Sequence, residues 1–316
     1  MAYYLLKRLA TLIATLWATS AIIFLVLEIL PGDPALLALG IDASSEQLIA
    51  FRAQYGLDRP PLERYLDWLG HLLHGDFGIS YAYKTAVWPL IADRLALTYP
   101  LAVIAMALTV ALALGLGLFA AARHGRPTDL LVMALSQLGI SIPNFWFGLL
   151  LILLFAVNLG WLSAGGFPGW HAGLLPALSG LVLPSLSLAA MQAAILARIT
   201  RSAVLDVLRE DFVRTARAKG LSRNAVLWRH VLRNALIPVI TVIGLQFGNL
   251  LAGSIVVEQV FSLPGLGRLI FQAISNRDIE VVKAAVMLLA GTVVLVNFAV
   301  DLLYVAIDPR LQARDA

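Results

Sequence analysis

The sequence of 316 residues contains no cysteine and little charge: 13% of its residues are Asp, Glu, Lys or Arg, against 60% that are hydrophobic. Without cysteine, no disulfide framework can hold the chain. Intrinsic disorder is excluded as well, because disordered chains are polar and charge-rich. Soluble domains carry roughly 25% charged and 45–50% apolar residues, so this composition lies outside the globular norm. The sequence also lacks any Gly-x-x-x-x-Gly-Lys-Ser/Thr stretch, and with it a Walker-type phosphate cradle. The missing cysteines leave the redox compartment open.

What is present is long apolar runs. Six windows, about 9–30, 98–122, 130–159, 178–197, 235–257 and 284–307, are long enough to cross a bilayer, and Glu28 and Asp301 are their only charged residues. A helix rising 1.5 Å per residue needs about 20 apolar residues to cross the hydrocarbon core. A large soluble protein could bury one or two such helices, but six leave too little polar sequence to cover them. The fold class expected is an all-α integral membrane protein with six transmembrane helices. Lys7 and Arg8 before the first run also suit a signal peptide. A secretory apolar region is only about 7–15 residues long, so the first window is read as a retained span.

Six spans place both termini on one side. The segments 1–8, 123–129, 198–234 and 308–316 hold 15 Lys/Arg and 6 Asp/Glu; those on the opposite side hold 8 and 11. The positive-inside rule puts the first group, and both termini, in the cytoplasm. The chain then divides into 1–30 (N-terminus and first span), 31–97 (an external helical segment) and 98–316 (spans two to six). The last includes a cytoplasmic loop at 198–234.

In the external segment Ser44 or Ser45 can cap a helix that stops at Gly56. Pro60 and Pro61 open another that ends at Gly75. Leu62, Tyr65, Leu66, Leu69 and Leu73 lie at helical spacing on it and are expected to pack on the protein rather than on the membrane. Residues 160–184 are uncharged and hold Trp161, Gly165, Gly166, Pro168, Trp170, Pro176 and Pro184, which suggests an interfacial or re-entrant loop.

The 198–234 loop carries nine Lys/Arg, and its core runs Asp211-Phe-Val-Arg-Thr-Ala-Arg-Ala-Lys-Gly220, then Leu221-Ser222-Arg-Asn-Ala-Val226. The pattern is helix, glycine stop, serine cap, helix. Charge alone equally suits a loop that binds anionic head groups. The order of residues resembles the EAA loop, by which permease subunits of binding-protein-dependent ABC importers dock on their ATPases. Gly220 matches its central glycine and Ala216 its second alanine. Arg214 and Thr215 stand where the general motif has Glu and Ala, and Asn234 lies near its usual proline. The run Arg214-Thr-Ala-Arg-Ala-Lys-Gly220 is similar to the peptide-importer version.

The resemblance covers nearly the whole chain. Leu30-Pro-Gly-Asp-Pro34, Gly56-Leu-Asp-Arg-Pro60, Gly75-Asp-Phe-Gly78, Glu258 with Val260-Phe261, Pro264-Gly-Leu-Gly-Arg268, Asn276-Arg-Asp278 and Asp308-Pro-Arg310 resemble the B-type permease of dipeptide, oligopeptide and nickel importers. It implies a bacterial inner-membrane subunit that pairs with a related second permease. It also implies two ATPase subunits carrying ATP and Mg, and an external solute-binding protein that delivers cargo. Arg214, Thr215, Ala216, Arg217, Lys219 and Gly220 would form the ATPase-coupling loop. Family members take dipeptides, longer peptides, nickel complexes, glutathione or sugar-like conjugates.

Polar residues in a span normally face protein or water. Gln246, Asn249 and Gly253 share one face of span five and Ser136, Gln137 and Asn144 lie in span three, so these six are candidates for the translocation path. Helix packing is the alternative: Gly244, Gly248 and Ala252 form a small-residue row, and Pro143 can kink span three. Glu28 and Asp301, near window ends, suit head-group exposure. The histidines (71, 74, 124, 171 and 230) are scattered. No catalytic residue, metal site or cofactor is expected in this chain, and no nucleic-acid partner; membrane lipids are expected around it. A self-sufficient secondary transporter or channel would need coupling charges or inverted repeats, and an intramembrane enzyme a polar catalytic set. Neither is visible.

Overall fold

A computed structural model describes residues 2–29, 34–40 and 43–307. Leu30 to Asp33 and the Asp308-Pro-Arg310 stretch lie outside the described residues. Among those described, the regular structure is helical, apart from one isolated antiparallel bridge between Ile79 and Ala86. Helix α1 (Ala2–Ile29) is followed by three short helices, α2 (Pro34–Leu39), α3 (Ser45–Gln54) and α4 (Pro61–Leu73). Then come α5 (Val87–Ala122), α6 (Pro127–Ser141) and α7 (Asn144–Leu151), the last running on in π geometry over Ile152–Asn158. Helix α8 (Leu174–Leu208) leads to α9 (Asp211–Ala218) and α10 (Arg223–Val226), which continues through a π turn, Leu227–Val231, into α11 (Leu232–Val260). The chain closes with α12 (Leu266–Ser275) and α13 (Ile279–Ile307).

Five of these helical stretches, Leu6–Ile29, Val87–Ala122, Leu174–Leu208, Asn224–Val260 and Ile279–Leu303, are long and apolar enough to cross a membrane; α6 with α7 and its π extension, bent by 103°, is a broken span that would make six, or a re-entrant pair. The helices outrun the apolar windows. Helix α5 starts at Val87, α8 extends from Leu174 to Leu208 and α13 starts at Ile279. Charges such as Asp93, Arg94, Arg198 and Glu280 interrupt hydropathy without breaking the backbone ladder. Span three departs further from expectation. Ile142, with ψ 120°, is extended, and Pro143 caps a new helix, so the window at 130–159 is two helices rather than one kinked span. The cause is local: a residue before proline is driven out of the α region. Pro100, Pro184 and Pro238 stay inside their helices.

The chain forms two compact units, one of Tyr99–Leu263 with the stretch from Val296, the other of Ala2–Thr98 with Pro264–Leu295. In the first, α8 is the central helix, against which α6, α7 and α11 pack. Its buried face is rich in alanine, with Ala189, Ala193, Ala194 and Ala197 all inside. A methyl group at Gly117 of α5 would sit 2.7 Å from Thr200 Cβ, so this crossing needs glycine. The Gly/Trp stretch ends at Gly173, and α8 absorbs Pro176 and Pro184. Gly166 N–H donates to Phe261 O at 2.8 Å, while Trp161 and Trp170 remain exposed.

In the second unit Val87 and Ile91 of α5 pack with Leu266, Leu269 and Ile270 of α12 and Val281 of α13. Helix α3 carries a reciprocal cap: Ser44 Oγ accepts from Gln47 N, and Gln47 Oε1 accepts from Ser44 N at 2.9 Å. Helix α4 opens on Pro61 as expected, but its inward face is not the leucine stripe. Trp68 is buried with Ile23 and Met287, with Tyr65 and Leu72 packed against them. Leu62, Leu66 and Leu73 are exposed. Of the expected stripe Tyr65 does pack inward, joined by Trp68 and Leu72 from outside it.

The 80–82 turn is fastened by Asp278. Ser80 Oγ donates to its carboxylate, as do Tyr81 N and Ala82 N, each at 3.2 Å, and Asp278 is fully buried. Tyr81 Oη donates to Glu280 Oε1 at 3.0 Å, an oxygen that Lys283 also reaches, at 2.6 Å. Burial, then the neighbouring Glu280 charge, pushes the Tyr81 phenol well above the ordinary tyrosine range. Asp76 is held below the usual carboxylate range, chiefly by the Gly78 N–H. A cleft of about 930 Å³ lies in this unit, with Arg52, Arg64, Trp68, Tyr81, Glu280 and Lys283 among its lining residues.

Candidate functional site: a basic surface helix

Between α8 and α11 the chain leaves the bundle for one short helix. Glu210 is the N-cap of α9, and Lys219 ends it. Gly220, with φ +83°, then turns the chain through the left-handed region, where side chains are disfavoured. Gly220 N–H donates to Arg217 O at 2.9 Å and Leu221 N–H to Ala216 O at 3.4 Å, the paired bonds of a Schellman stop. Ser222 Oγ then accepts from Ala225 N and starts α10. The expected order of helix, glycine stop, serine cap and helix is thus formed.

Helix α9 has two faces. Val213, fully buried, and Ala216 sit in an apolar cluster with Leu118 and Ala121 of α5, Ala203 and Val204 of α8, and Val226, Val231 and Ala235 beyond. Arg214, Thr215, Arg217, Lys219 and Gly220 all lie exposed. Arg214 Nη1 reaches Asp211 Oδ1 at 3.3 Å, but both side chains remain largely in solvent, where such a pair contributes at most about 1 kcal/mol. Thr215 Oγ1 donates to Asp211 O. Phe212 and Trp228 are exposed nearby in sequence. The helix thus has an apolar inner face and an outer face that carries Arg214, Arg217 and Phe212.

The six candidates for the path fall into different environments. Ser136 and Gln246 are buried; Gln246 Nε2 donates to Gln192 O at 3.1 Å, tying α11 to α8. Gln137 is exposed and accepts from Arg198 Nη1 at 3.1 Å. Asn144 O accepts from Ser187 Oγ at 2.6 Å. Gly253 leaves room for the Asn144 amide: an added methyl would meet Nδ2 at 2.8 Å. Asn249 is exposed. Of the small-residue row, Gly244 packs close on Val300 of α13.

Sequence reasoning missed a polar joint beside this site. Asp129, in the first turn of α6 and only 2% exposed, accepts from Arg201 Nε at 2.6 Å and Nη2 at 2.7 Å, and from Gly125 N at 3.0 Å. His124 Nδ1 lies 3.4 Å from Asp129 Oδ2 and 3.0 Å from Arg201 Nη2. One signal was available, for Asp129 is the only acid in the short 123–129 turn.

These features define a helical membrane protein whose loop presents a short basic surface helix, and the comparisons narrow that class. The family profile described as binding-protein-dependent transport system inner membrane component matches residues 113–313. Its companion, the N-terminal part of the same membrane component, matches residues 1–102. The glutathione transport system permease protein GsiC of Salmonella typhimurium is 44% identical over 312 residues, covering 99% of each chain. Its counterpart in Escherichia coli K12 is 43% identical over the same span. An amino acid ABC transporter crystallised with histidines shares the fold, with a TM-score of 0.51 at 18% identity over 70% of this chain and 94% of that one.

The chain belongs to the binding-protein-dependent transport system inner membrane components, the multi-pass permease subunits of ABC importers.

Proposed function

We propose that this permease subunit moves short peptides across the bacterial inner membrane, with both termini cytoplasmic. Two separate ATPase subunits carry ATP and Mg, a related second permease completes the path, and an external solute-binding protein delivers the cargo. The observation that carries this reading is α9: an apolar seat on Val213 and Ala216, with Arg214, Arg217 and Lys219 turned outward. A helix so held transmits a push instead of absorbing it. Closure of the ATPases on nucleotide would shift α9, and the helices that seat it would tilt. A conformational change of this kind requires contacts that differ between its two states. Tripeptide cargo is supported by the GsiC relatives, whose name states glutathione transport.

Along the path we place Gln137, Asn144, Asn249 and Gly253, with Ser136 and Gln246 acting from within the helix packing. The experiment is transport by the reconstituted assembly in liposomes, with labelled glutathione and a dipeptide as cargoes. Peptide movement by this chain without ATPase subunits would overturn the reading. Replacing Arg214, Arg217 and Lys219 together by Glu is expected to lower transport about a hundredfold, as expected for losing several charged interface contacts. Insertion of the spans should be unaffected, and undiminished transport would sink the docking assignment.

A further inference from the structure

Two arginines of α8 hold helix α6. Arg201 grips Asp129 with two nitrogens, at 2.6 and 2.7 Å, and Arg198 donates to Gln137 at 3.1 Å. Residues 198 and 201 lie about one turn apart on α8, while 129 and 137 lie about two turns apart on α6, so the ties act at separate heights. Between these helices the packing is close: a methyl at Gly139 of α6 would meet Ala194 Cβ at 3.2 Å. Asp129 is buried, and its remaining bond goes to Gly125 N, so the α5–α6 turn is bound into the same joint. Ala203 and Val204, just beyond Arg201, form part of the seat of α9.

We infer that Asp129 and Arg201 are positioning residues of transport: they lock α6 to α8, so that a displacement received at α9 reaches the broken span α6–α7. The bend of 103° at Pro143 then becomes the point where this motion is handed to α7. The direction of transmission rests on the docking reading above; the locking of α6 to α8 does not.

The absence of native cysteine makes the test clean. Gly139→Cys and Ala194→Cys, at the close α6–α8 crossing and off the proposed path, are introduced together, with Asp129 and Arg201 intact, and oxidised to a disulfide in the full reconstituted complex. Because α6 and α8 travel together, the cross-linked complex keeps its transport rate; loss of transport on cross-linking would overturn the inference. In the second arm Asp129→Asn is expected to lower transport about tenfold. ATP hydrolysis by the partner subunits continues, and the same cross-link restores transport. A merely structural loss would not be rescued by one covalent tie, and unchanged transport in Asp129→Asn would also overturn the inference. Should Asp129→Asn fail to insert, the cross-link in the otherwise natural chain still decides. Failure of the docking reading shows separately, as coupling that is indifferent to reversal of the α9 cations.

Discussion

Around the short helices that follow α1, charged side chains find partners: Glu28 with Arg64, Arg59 with Asp67, Asp76 with the His71 ring, and Glu280 with Lys283. Around α9 the balance is different. Arg214 reaches the neighbouring Asp211, and Arg217 and Lys219 stand exposed beside it with Phe212. Charge in the first region closes a local structure, while in the second it is left outward on a structure that apolar packing already holds. Exposed pairs of either kind contribute little stability. The contrast therefore lies in how charge is used: in the first region it is matched locally, and on α9 Arg217 and Lys219 stand outward, as the docking proposal requires.

The sharpest way to break this contrast is Asp278→Ala. It strands Ser80, Tyr81 and Ala82 as donors in a buried site, and each unsatisfied buried group costs about 1–3 kcal/mol. The expected result is a loss of about 3 kcal/mol or more, read as early protease cleavage near the 80–82 turn, while α9 keeps its partners. Next is Gly220→Ala, which forces a side chain into a positive φ. A loss of about 1 kcal/mol is expected, with weaker retention of the ATPase subunits on purification as the readout. Smallest is Arg59→Gln, which removes an exposed pair. A change of less than about 0.5 kcal/mol in unfolding and unaltered transport are expected. A large transport defect there would show that the first region also serves a partner through its charges.

Much of the fold was legible because burial in lipid has a plain signature. Apolar windows located every span, and Ser44, Pro61, Gly220 and Ser222 marked helix ends through chemistry confined to a few neighbouring residues. Helix length was less legible, because Asp93 or Arg198 can continue a helix after the hydropathy falls. Pro143 divides a span, whereas Pro100, Pro184 and Pro238 carry the same local signal inside intact helices. At the candidate site, the helix, glycine stop and serine cap of 211–226 were readable from local order. The Asp129–Arg201 joint was not, since its partners stand 72 residues apart. The Asp278 anchor was hidden in the same way. The stripe of α4 was right at Tyr65 and wrong at Leu62, Leu66 and Leu73, because the inward face turns toward Trp68.

The Asp278 anchor also sets an order of events during synthesis. Ser80 precedes its acceptor by 198 residues, and α5, the α6–α7 pair, α8 and α11 are all made in between. Until the α12–α13 turn has emerged on the same side of the bilayer, the amides of residues 81 and 82 have only water to bond. Contacts so distant along the chain form late, because a long loop must close before they can contribute. A soluble segment made well before its anchor is therefore among the later parts of the chain to reach its final structure.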